Sequence, residues 1–391
     1  MRYFDHNATT PLCEAARDAW LDASRMHWAN ASASYRMAAQ VRAVLSRARE
    51  RMAECLAVKP DSLVFCSGAT EACNLWLRST LEQLAPEQCL LVSELEHSCV
   101  VEPATTLVPE RIRWFRPSSR TDLIEQLEAL TATHAHIAGV VMMAANNVTG
   151  EVFDWHRAAT WCRERGLAYF CDATQFLGKL PLSGWSDVHA FCGSAHKFGG
   201  PKGVGFLKQS GRFGRICGQL GGGQEAGIRA GTEDVPGILA MQAALEVHTE
   251  WASDVSAIRQ RILWRQQFQD ALAKAIPGVR FLIPVESSLW NTVSVILPQD
   301  DATRWIEGLD RLGVAAAAGS ACSTGNASVS RVLLAMGVDE AEARRHLRFS
   351  AGWQTTEQDW QELLRALTQL WREGDEHRRQ GGSRVISIDD L

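Results

Sequence analysis

The chain has 391 residues, of which 46% are apolar and 22% are charged, and its formal net charge at pH 7 is −5. These proportions are close to those of average soluble globular proteins, and the length allows two or three domains. A negative net charge gives no broad positive field, which argues against nucleic acid or an anionic membrane as the partner.

The N-terminal sequence MRYFDHNATTPL carries charges and turn-forming residues where a secretion signal needs an apolar stretch. The longest strongly apolar run, residues 137–145, is too short to span a bilayer and predicts a buried strand. The 11 cysteines are scattered and lack the paired spacing of zinc sites. We therefore expect a soluble, cytoplasmic protein without a metal site, in which most cysteines are small buried residues.

Short β-rich segments alternate with helical patterns between residues 62 and 207, which predicts an α/β fold with a mostly parallel sheet covered by helices. Several segments are apolar throughout, as is typical of strands that are covered on both faces. The seven predicted strands are 63–65, 89–92, 112–115, 137–143, 168–171, 188–192 and 204–207.

A helical pattern from residue 236 to residue 276 predicts a long connecting helix with one break. The segments after it predict a smaller α+β domain with two strands and two helices, at 279–283, 292–297, 302–311 and 356–372. We expect a large domain over residues 13–250, a small domain formed by residues 1–12 and 251–375, and a mobile tail over residues 376–391.

The segment CSGATEACN, residues 66–74, passes from a strand through a turn of small residues into a helix. The free amides of a helix N-terminus and a threonine hydroxyl bind anions, so Gly68, Ala69 and Thr70 predict a phosphate site. Ser67 and Glu71 also suggest a capping box, and the two interpretations are compatible.

His97, in ELEHSCVV, follows a predicted strand and can stack its ring on an aromatic cofactor, although a structural role is the more common one for a single histidine. The glycine run GGGQEAGIRAGTED, residues 221–234, allows close backbone approach and offers Thr232 as a further phosphate donor.

The segment YFCDATQ places Asp172 at the end of a predicted strand. A buried carboxylate there can keep a pyridinium nitrogen protonated, which makes the ring an electron sink. A helix cap or a turn is the more common role of an aspartate at a strand end, but the nearby Lys197 favours the cofactor role.

The segment GSAHKFGGPKG, residues 193–203, follows an apolar strand and surrounds Lys197 with small residues that let a bulky ligand approach. A lysine that forms an imine must be able to lose its proton near neutral pH, and a buried strand end favours this. An ordinary surface lysine in a glycine turn would show the same pattern.

Nine motifs follow one another along nearly the whole chain: DHNATTP, SGATEACN, EHSCVV, NNVTG, DATQFLGK, SAHKFGGPKG, GGGQEAGIRAGT, GSACSTG and LRFSAG. In these motifs and their order, the chain resembles the cysteine desulfurases of the class V aminotransferase fold. The resemblance implies the type I fold of transferases that depend on pyridoxal 5′-phosphate, this cofactor itself, and a homodimer.

The resemblance also implies a role for single residues. Lys197 would hold the cofactor covalently, Asp172 would pair with the ring nitrogen, and His97 would stack on the ring. Further residues match contact positions of the family: Asn147 and Gln175 near the ring hydroxyl, Thr70, Ser194 and His196 at the phosphate, Thr232 at the phosphate of a partner subunit, and Arg348, Asn147 and Asn30 at the substrate.

Cys322, in AAGSACSTGNASVS, matches the catalytic cysteine of the family. Its small and polar neighbours are typical of a loop, although a buried position before a helix near Ser330 is the alternative. The implied reaction converts L-cysteine to L-alanine. Lys197 takes the α-proton, and Cys322 receives the sulfur as a persulfide for a protein or small-molecule acceptor.

Four residues depart from the family pattern: Val148 replaces an acidic residue, Ala226 an arginine, Ala31 a proline and Trp353 a basic residue. We therefore expect a specialised member with its own sulfur acceptor. A selenocysteine lyase, a cysteine sulfinate enzyme, a transaminase and a non-catalytic scaffold remain open on the same fold. Cys322 argues against simple transamination, and the complete set of candidate catalytic residues argues against a scaffold.

Overall fold

The computed structural model of the protein describes residues 1–117, 122–211, 218–318 and 329–381. The chain forms two compact units and passes between them more than once. The larger unit comprises residues 7–258 and 286–289, and the smaller unit comprises residues 1–6, 259–285 and the chain from residue 290 onward.

The chain begins in the smaller unit with a short strand, β1 (Arg2–Tyr3). The larger unit then contains a seven-stranded sheet in the order β2-β8-β7-β6-β5-β3-β4. Its strands are β2 (Leu63–Cys66), β3 (Cys89–Ser93), β4 (Ile112–Phe115), β5 (Ile137–Val141), β6 (Ala168–Asp172), β7 (Ala190–Ser194) and β8 (Gly205–Gln209). Within this sheet, β8 runs antiparallel to both of its neighbours. The predicted mostly parallel sheet of seven strands is therefore confirmed.

The helices α3 (Ala69–Gln83), α4 (Ser98–Leu107), α5 (Leu123–Thr133) and α6 (Trp155–Glu164) connect strands of this sheet. The helices α1 (Glu14–Met26) and α2 (Arg36–Leu56) precede β2, and α7 (Val235–Ser253) follows β8. Strands β3, β6 and β7 are buried along their whole length, which explains their continuous apolar sequences. In the core below the sheet, Trp76 of α3 stacks on Phe170 of β6 with ring centres 4.6 Å apart.

The predicted long helical connector is present as α7 followed by α8 (Val255–Ala275). Asp254 separates the two helices, and its carboxylate accepts hydrogen bonds from the backbone amides of Ser256 and Ala257 at 3.0 Å. An aspartate that caps the second helix in this way explains the single break in the pattern.

The smaller unit combines an antiparallel sheet with helices, as the sequence predicted. Its sheet has the order β12-β13-β10-β9, and β1 pairs with β11 in parallel. The elements are β9 (Arg280–Phe281), β10 (Thr292–Ile296), α9 (Ala302–Arg311), β11 (Val314–Ala315), β12 (Ala317–Ala318), α10 (Arg331–Ala335), α11 (Glu340–Ala343), β13 (His346–Ser350) and α12 (Glu357–Gly381).

The units divide at residues other than those predicted. Residues 7–12 and 251–258 lie in the larger unit, partly because backbone groups of Asn7 and Ala8 bind side chains there. At the other end, α12 extends to Gly381, whereas the sequence predicted a tail from residue 376. Residues 376–380 contain neither proline nor glycine, so nothing in their sequence stops the helix.

Among the residues that the structure describes, no helix is both long enough and apolar enough to cross a membrane.

Trp353, one of the four departures, lies in the smaller unit with 8% of its surface exposed. Its ring lies 4.6 Å from that of Trp290, and the guanidinium carbon of Arg261 lies 4.9 Å from its ring centre. Arg261 also donates a hydrogen bond to the Trp353 carbonyl oxygen at 2.5 Å. A positive charge therefore does lie beside residue 353, but it belongs to Arg261 of α8, which stacks on the tryptophan ring.

We expect Trp353→Ala to lower the free energy of unfolding by about 3 kcal/mol, because it removes a buried ring and the cation–π contact with Arg261. Urea denaturation followed by circular dichroism measures this loss. Trp353→Phe keeps an aromatic face over Arg261 and should lose clearly less. Equal stability of the alanine variant and the original protein would contradict the assignment.

Candidate active site

Three candidate residues follow the carboxyl ends of parallel strands in the larger unit. β6 ends at Asp172, β7 leads into a 3₁₀ turn (Ala195–Lys197), and β3 is followed by His97 at the start of α4. β6 and β7 are neighbours, and Asp172 lies opposite Cys192 in their register. Because parallel strands end at the same edge, this edge is the expected place for a ligand.

The Lys197 amine is held by the N-terminal segment of the larger unit. Its Nζ atom donates hydrogen bonds to the carbonyl oxygens of Asn7 and Ala8, both at 2.7 Å. A hydrogen bond that involves a charged group contributes about 1.5–3 kcal/mol. The backbone of residues 7 and 8 therefore fixes the position of the amine.

Asn7 is a further candidate site residue, which the sequence analysis missed. Its carbonyl oxygen also accepts a hydrogen bond from Gln175 Nε2 at 2.9 Å, and its own Nδ2 donates to the Asn147 carbonyl oxygen at 3.3 Å. Asn7 thus joins Lys197 to two candidate ring-contact residues. Backbone carbonyl groups are common to all residue types, so the DHNATTP motif was the one available signal.

Asp172 is 6% exposed, and its Oδ1 atom accepts a hydrogen bond from the Thr174 amide at 2.9 Å. The sulfur atoms of Cys192 and Cys99 lie 3.7 Å and 4.0 Å from its two oxygens. These contacts fix the orientation of the carboxylate. Asp172 lies at the end of its strand, as the sequence predicted.

His97 is the N-cap residue of α4, and its Nδ1 atom accepts a hydrogen bond from the Cys99 amide at 3.2 Å. This bond requires an unprotonated Nδ1 and fixes the plane of the imidazole. Together with Thr70, His97 lines a cavity of about 420 Å³. An imidazole that is fixed beside an open cavity is suited to stacking on a flat ligand.

The predicted phosphate site is a turn that precedes α3. Gly68 is its N-cap residue, with φ of 150°, and Thr70 is exposed in the first turn. A methyl group added at Gly68 would lie 3.2 Å from Ser194 Oγ, so this hydroxyl borders the turn. Ser67 donates its amide to Glu71 at 2.7 Å, so the capping contact is present, and it leaves the predicted phosphate role of residues 68–70 open.

His196 contributes a neutral ring to the same region. Its Nδ1 atom lies 3.1 Å from Thr9 Oγ1. Burial, and next the charge of Lys197, lower the pKa of His196 to about 4. The imidazole is therefore uncharged at neutral pH and can act through hydrogen bonds rather than through charge.

Four candidate residues do not belong to this group. Three of them lie elsewhere in the structure, and the fourth lies outside the residues that the structure describes. Thr232 is exposed, beside a cavity of about 130 Å³ that Ser67 also lines. Asn30 is exposed, and its side chain accepts a hydrogen bond from the Ser32 amide at 2.9 Å. Arg348 belongs to the smaller unit, where its Nη2 atom lies 2.6 Å from Asp5 Oδ1. Cys322 lies outside the residues that the structure describes.

The residues at this edge fit pyridoxal phosphate. A carboxylate as buried as Asp172 is stabilised by a cation, and a protonated pyridine nitrogen is one. Free amides at the start of α3 and the Ser194 hydroxyl suit a phosphate group, and Lys197 supplies an amine for an aldehyde.

We expect Gly205→Ala to weaken the affinity for pyridoxal phosphate by about tenfold or more. The added methyl group would lie 2.5 Å from the Gly193 carbonyl oxygen and 2.6 Å from Gly68 Cα, and would displace the phosphate turn. Titration of the apo-protein with the cofactor, followed by absorbance, measures the change. Gly211→Ala is the control, since a methyl group there meets nothing within 4 Å among the described residues. Equal affinities of the two variants would contradict the location of the turn.

Similarity to known proteins identifies the family of this chain. The family model for class-V aminotransferases matches residues 2–363. A cysteine desulfurase of Enterobacter agglomerans is 32% identical, over 97% of this chain and 97% of its own.

Two solved structures are also similar. A NifS-like protein has a TM-score of 0.86 at 29% identity, over 95% of this chain and 100% of its own. SspA in complex with cysteine has a TM-score of 0.74 at 25% identity, over 90% of this chain and 98% of its own. With its predicted fold confirmed, the chain belongs to the class-V aminotransferase family and, within it, to the cysteine desulfurases, which depend on pyridoxal phosphate.

Proposed function

We propose that this protein is a cysteine desulfurase that converts L-cysteine to L-alanine and leaves the sulfur as a persulfide on Cys322. The observation that supports this most directly is the convergence of Lys197, Asp172 and His97 at one edge of the sheet. Membership of the cysteine desulfurase family supports the choice of substrate.

The proposed binding residues divide among the parts of the cofactor. Lys197 would hold its aldehyde carbon, Asp172 its ring nitrogen and His97 one face of its ring. Residues 68–70, Ser194 and His196 would hold the phosphate, and Asn147 and Gln175 the ring hydroxyl region. When bound, the cofactor supplies an electron sink for the negative charge that develops at the substrate Cα.

Lys197 is the proposed general base for the substrate α-proton. In its free form, its amine is held by the Asn7 and Ala8 carbonyl groups. Positioning of this kind lowers the barrier because the base needs no further ordering before the proton moves.

Cys322 is the proposed nucleophile, and as a thiolate it attacks the substrate sulfur. An S–S bond forms while the C–S bond of the substrate breaks, and the carbon takes up a proton. The net reaction consumes one cysteine and the Cys322 thiol, and it yields alanine and the Cys322 persulfide. Atoms and electrons balance without an external oxidant. The persulfide then passes to a protein or small-molecule acceptor.

Arg348 is the proposed partner of the substrate carboxylate, for which its planar, forked guanidinium is well suited. The Asp5 carboxylate lies 2.6 Å from Nη2 and fixes the orientation of this group. Asn30, which is exposed, remains a proposed further substrate contact.

We further propose a homodimer in which Thr232 reaches the phosphate site of the partner subunit, and the exposure of Thr232 supports this. A catalytic thiol stays reduced in a reducing compartment, so we propose a cytoplasmic location.

Incubation with L-cysteine in the absence of reductant, followed by peptide mass mapping, tests the proposed nucleophile. We expect one additional sulfur atom on the peptide that contains Cys322. Cys322→Ala should keep the absorbance of the bound cofactor and lose alanine formation by about a hundredfold or more, because sulfur attack and cofactor binding use different side chains. Alanine formation at an unchanged rate in this variant would refute the assignment.

Lys197→Ala should abolish both turnover and the visible absorbance of the lysine-bound cofactor, since it removes the amine that holds the aldehyde. Absorbance spectra of the purified variant, before and after addition of pyridoxal phosphate, provide the measurement. Lys202→Ala, a change of an exposed lysine five residues further along the chain, is the control and should retain both. A colourless original protein that stays colourless after the addition would exclude the proposed function.

A further inference from the structure

Three buried cysteines form a row of neighbouring sulfur atoms beside the Asp172 carboxylate, which we call the thiol row. They come from different elements: Cys73 from α3, Cys99 from the first turn of α4, and Cys192 from β7. The sulfur of Cys73 lies 3.6 Å from that of Cys99 and 3.7 Å from that of Cys192. None of them has a role in the proposed reaction.

Both ends of this row contact the Asp172 carboxylate. Cys192 Sγ lies 3.7 Å from Oδ1, and Cys99 Sγ lies 4.0 Å from Oδ2. The register of β6 and β7 requires the first contact, because Asp172 and Cys192 are paired and their side chains leave the same face of the sheet. The row and the carboxylate therefore form one connected cluster.

The thiols at the centre and at the β7 end of this row keep their protons at neutral pH. Burial raises the pKa of Cys192 to about 12. Hydrogen bonds with Cys192 and Cys99, together with burial, raise the pKa of Cys73 well above its usual value. A protonated Cys192 between a thiol and a carboxylate donates preferentially to the carboxylate, which is the stronger acceptor.

We propose that Cys192, supported by Cys73 and Cys99, is a positioning residue for Asp172: the thiol row holds the carboxylate in the orientation in which it pairs with the cofactor ring nitrogen. This inference rests on the proposed role of Asp172. A carboxylate that is held in line with the ring nitrogen favours the cationic form of the ring, and a cationic ring withdraws electrons more effectively.

Thiol groups suit this position because the side chains around them are apolar. The three cysteines belong to the same apolar core as Trp76 and Phe170. A buried hydroxyl or amide would need additional hydrogen-bonding partners there, whereas a thiol packs as a small apolar residue and still offers a weak donor. The row therefore supports a charged group at the boundary of a core that is otherwise apolar.

The experiment compares Cys192→Ala, Cys192→Ser and Cys171→Ala with the original protein. Cys171 is the matched control, because it is equally buried and adjacent to Asp172 but leaves the opposite face of β6. Each protein is loaded with pyridoxal phosphate labelled with ¹⁵N in the ring. The ring ¹⁵N chemical shift, the cofactor dissociation constant, and kcat and KM for L-cysteine are then measured.

We expect the ¹⁵N shift of Cys192→Ala to move toward that of an unprotonated ring, and cofactor affinity to fall by about 2- to 10-fold, as the loss of one hydrogen bond implies. Its kcat should fall while KM for cysteine stays unchanged. Cys192→Ser restores a donor and should restore the shift, and Cys171→Ala should leave it unchanged.

An unchanged ring ¹⁵N shift in Cys192→Ala, with normal cofactor binding by the original protein, would overturn this inference alone. Failure of the original protein to bind the cofactor would instead exclude the proposed function.

A metal site is the alternative interpretation of this cluster, because the donor atoms of Cys73, Asp172 and Cys192 lie within 4.8 Å of one another. One zinc ion per purified chain, lost in Cys192→Ala, would overturn the inference because the thiols would then be ligands. If Cys192→Ala does not fold, Cys192→Val, which also lacks a donor, gives the same comparison at Oδ1.

Discussion

A carboxylate that is shielded from water requires donors or a positive partner, and Asp172 imposes this requirement on the centre of the larger unit. The backbone amide of Thr174 satisfies one oxygen, and the thiols of Cys192 and Cys99 border both. The parallel direction of the strands brings the lysine turn after β7 and the imidazole after β3 to the same edge. The direction of the strands thus places the candidate site at this edge, and the buried negative charge of Asp172 favours a positively charged group there.

The sequence alone predicted those features that follow from a local pattern of residues. Continuous apolar segments identified the seven strands, and α9 was predicted with its observed bounds. Small errors arose where burial does not coincide with strand pairing, as in β7, which was predicted over 188–192 but is observed as Ala190–Ser194. Lys197, Asp172 and the turn at Gly68 were recognisable because strand ends and helix starts carry their own residue signatures.

Other features had no local signature. The acceptors of the Lys197 amine are backbone carbonyl groups of Asn7 and Ala8, which any residue would supply. The thiol row was interpreted as ordinary buried cysteines, because positions 73, 99 and 192 are far apart in the chain and are brought together only by the fold. The exchange of a basic residue for Trp353 was likewise uninterpretable until Arg261 was found stacked on its ring.

The contacts of the first residues bear on how the protein is made. Residues 2–5 pair with or bind partners near residues 314 and 350, and Asn7 and Ala8 hold the amine at position 197. Residues 2–8 therefore precede their partners in the chain by about 190 to 340 residues, and β11, the partner of β1, is made after the whole sheet of the larger unit. The environment of the lysine cannot be completed before residue 197 is made, and β1 cannot pair before residues 314 and 315 are made. A nascent chain that is held before residue 314 would consequently contain β1 without the strand that it joins.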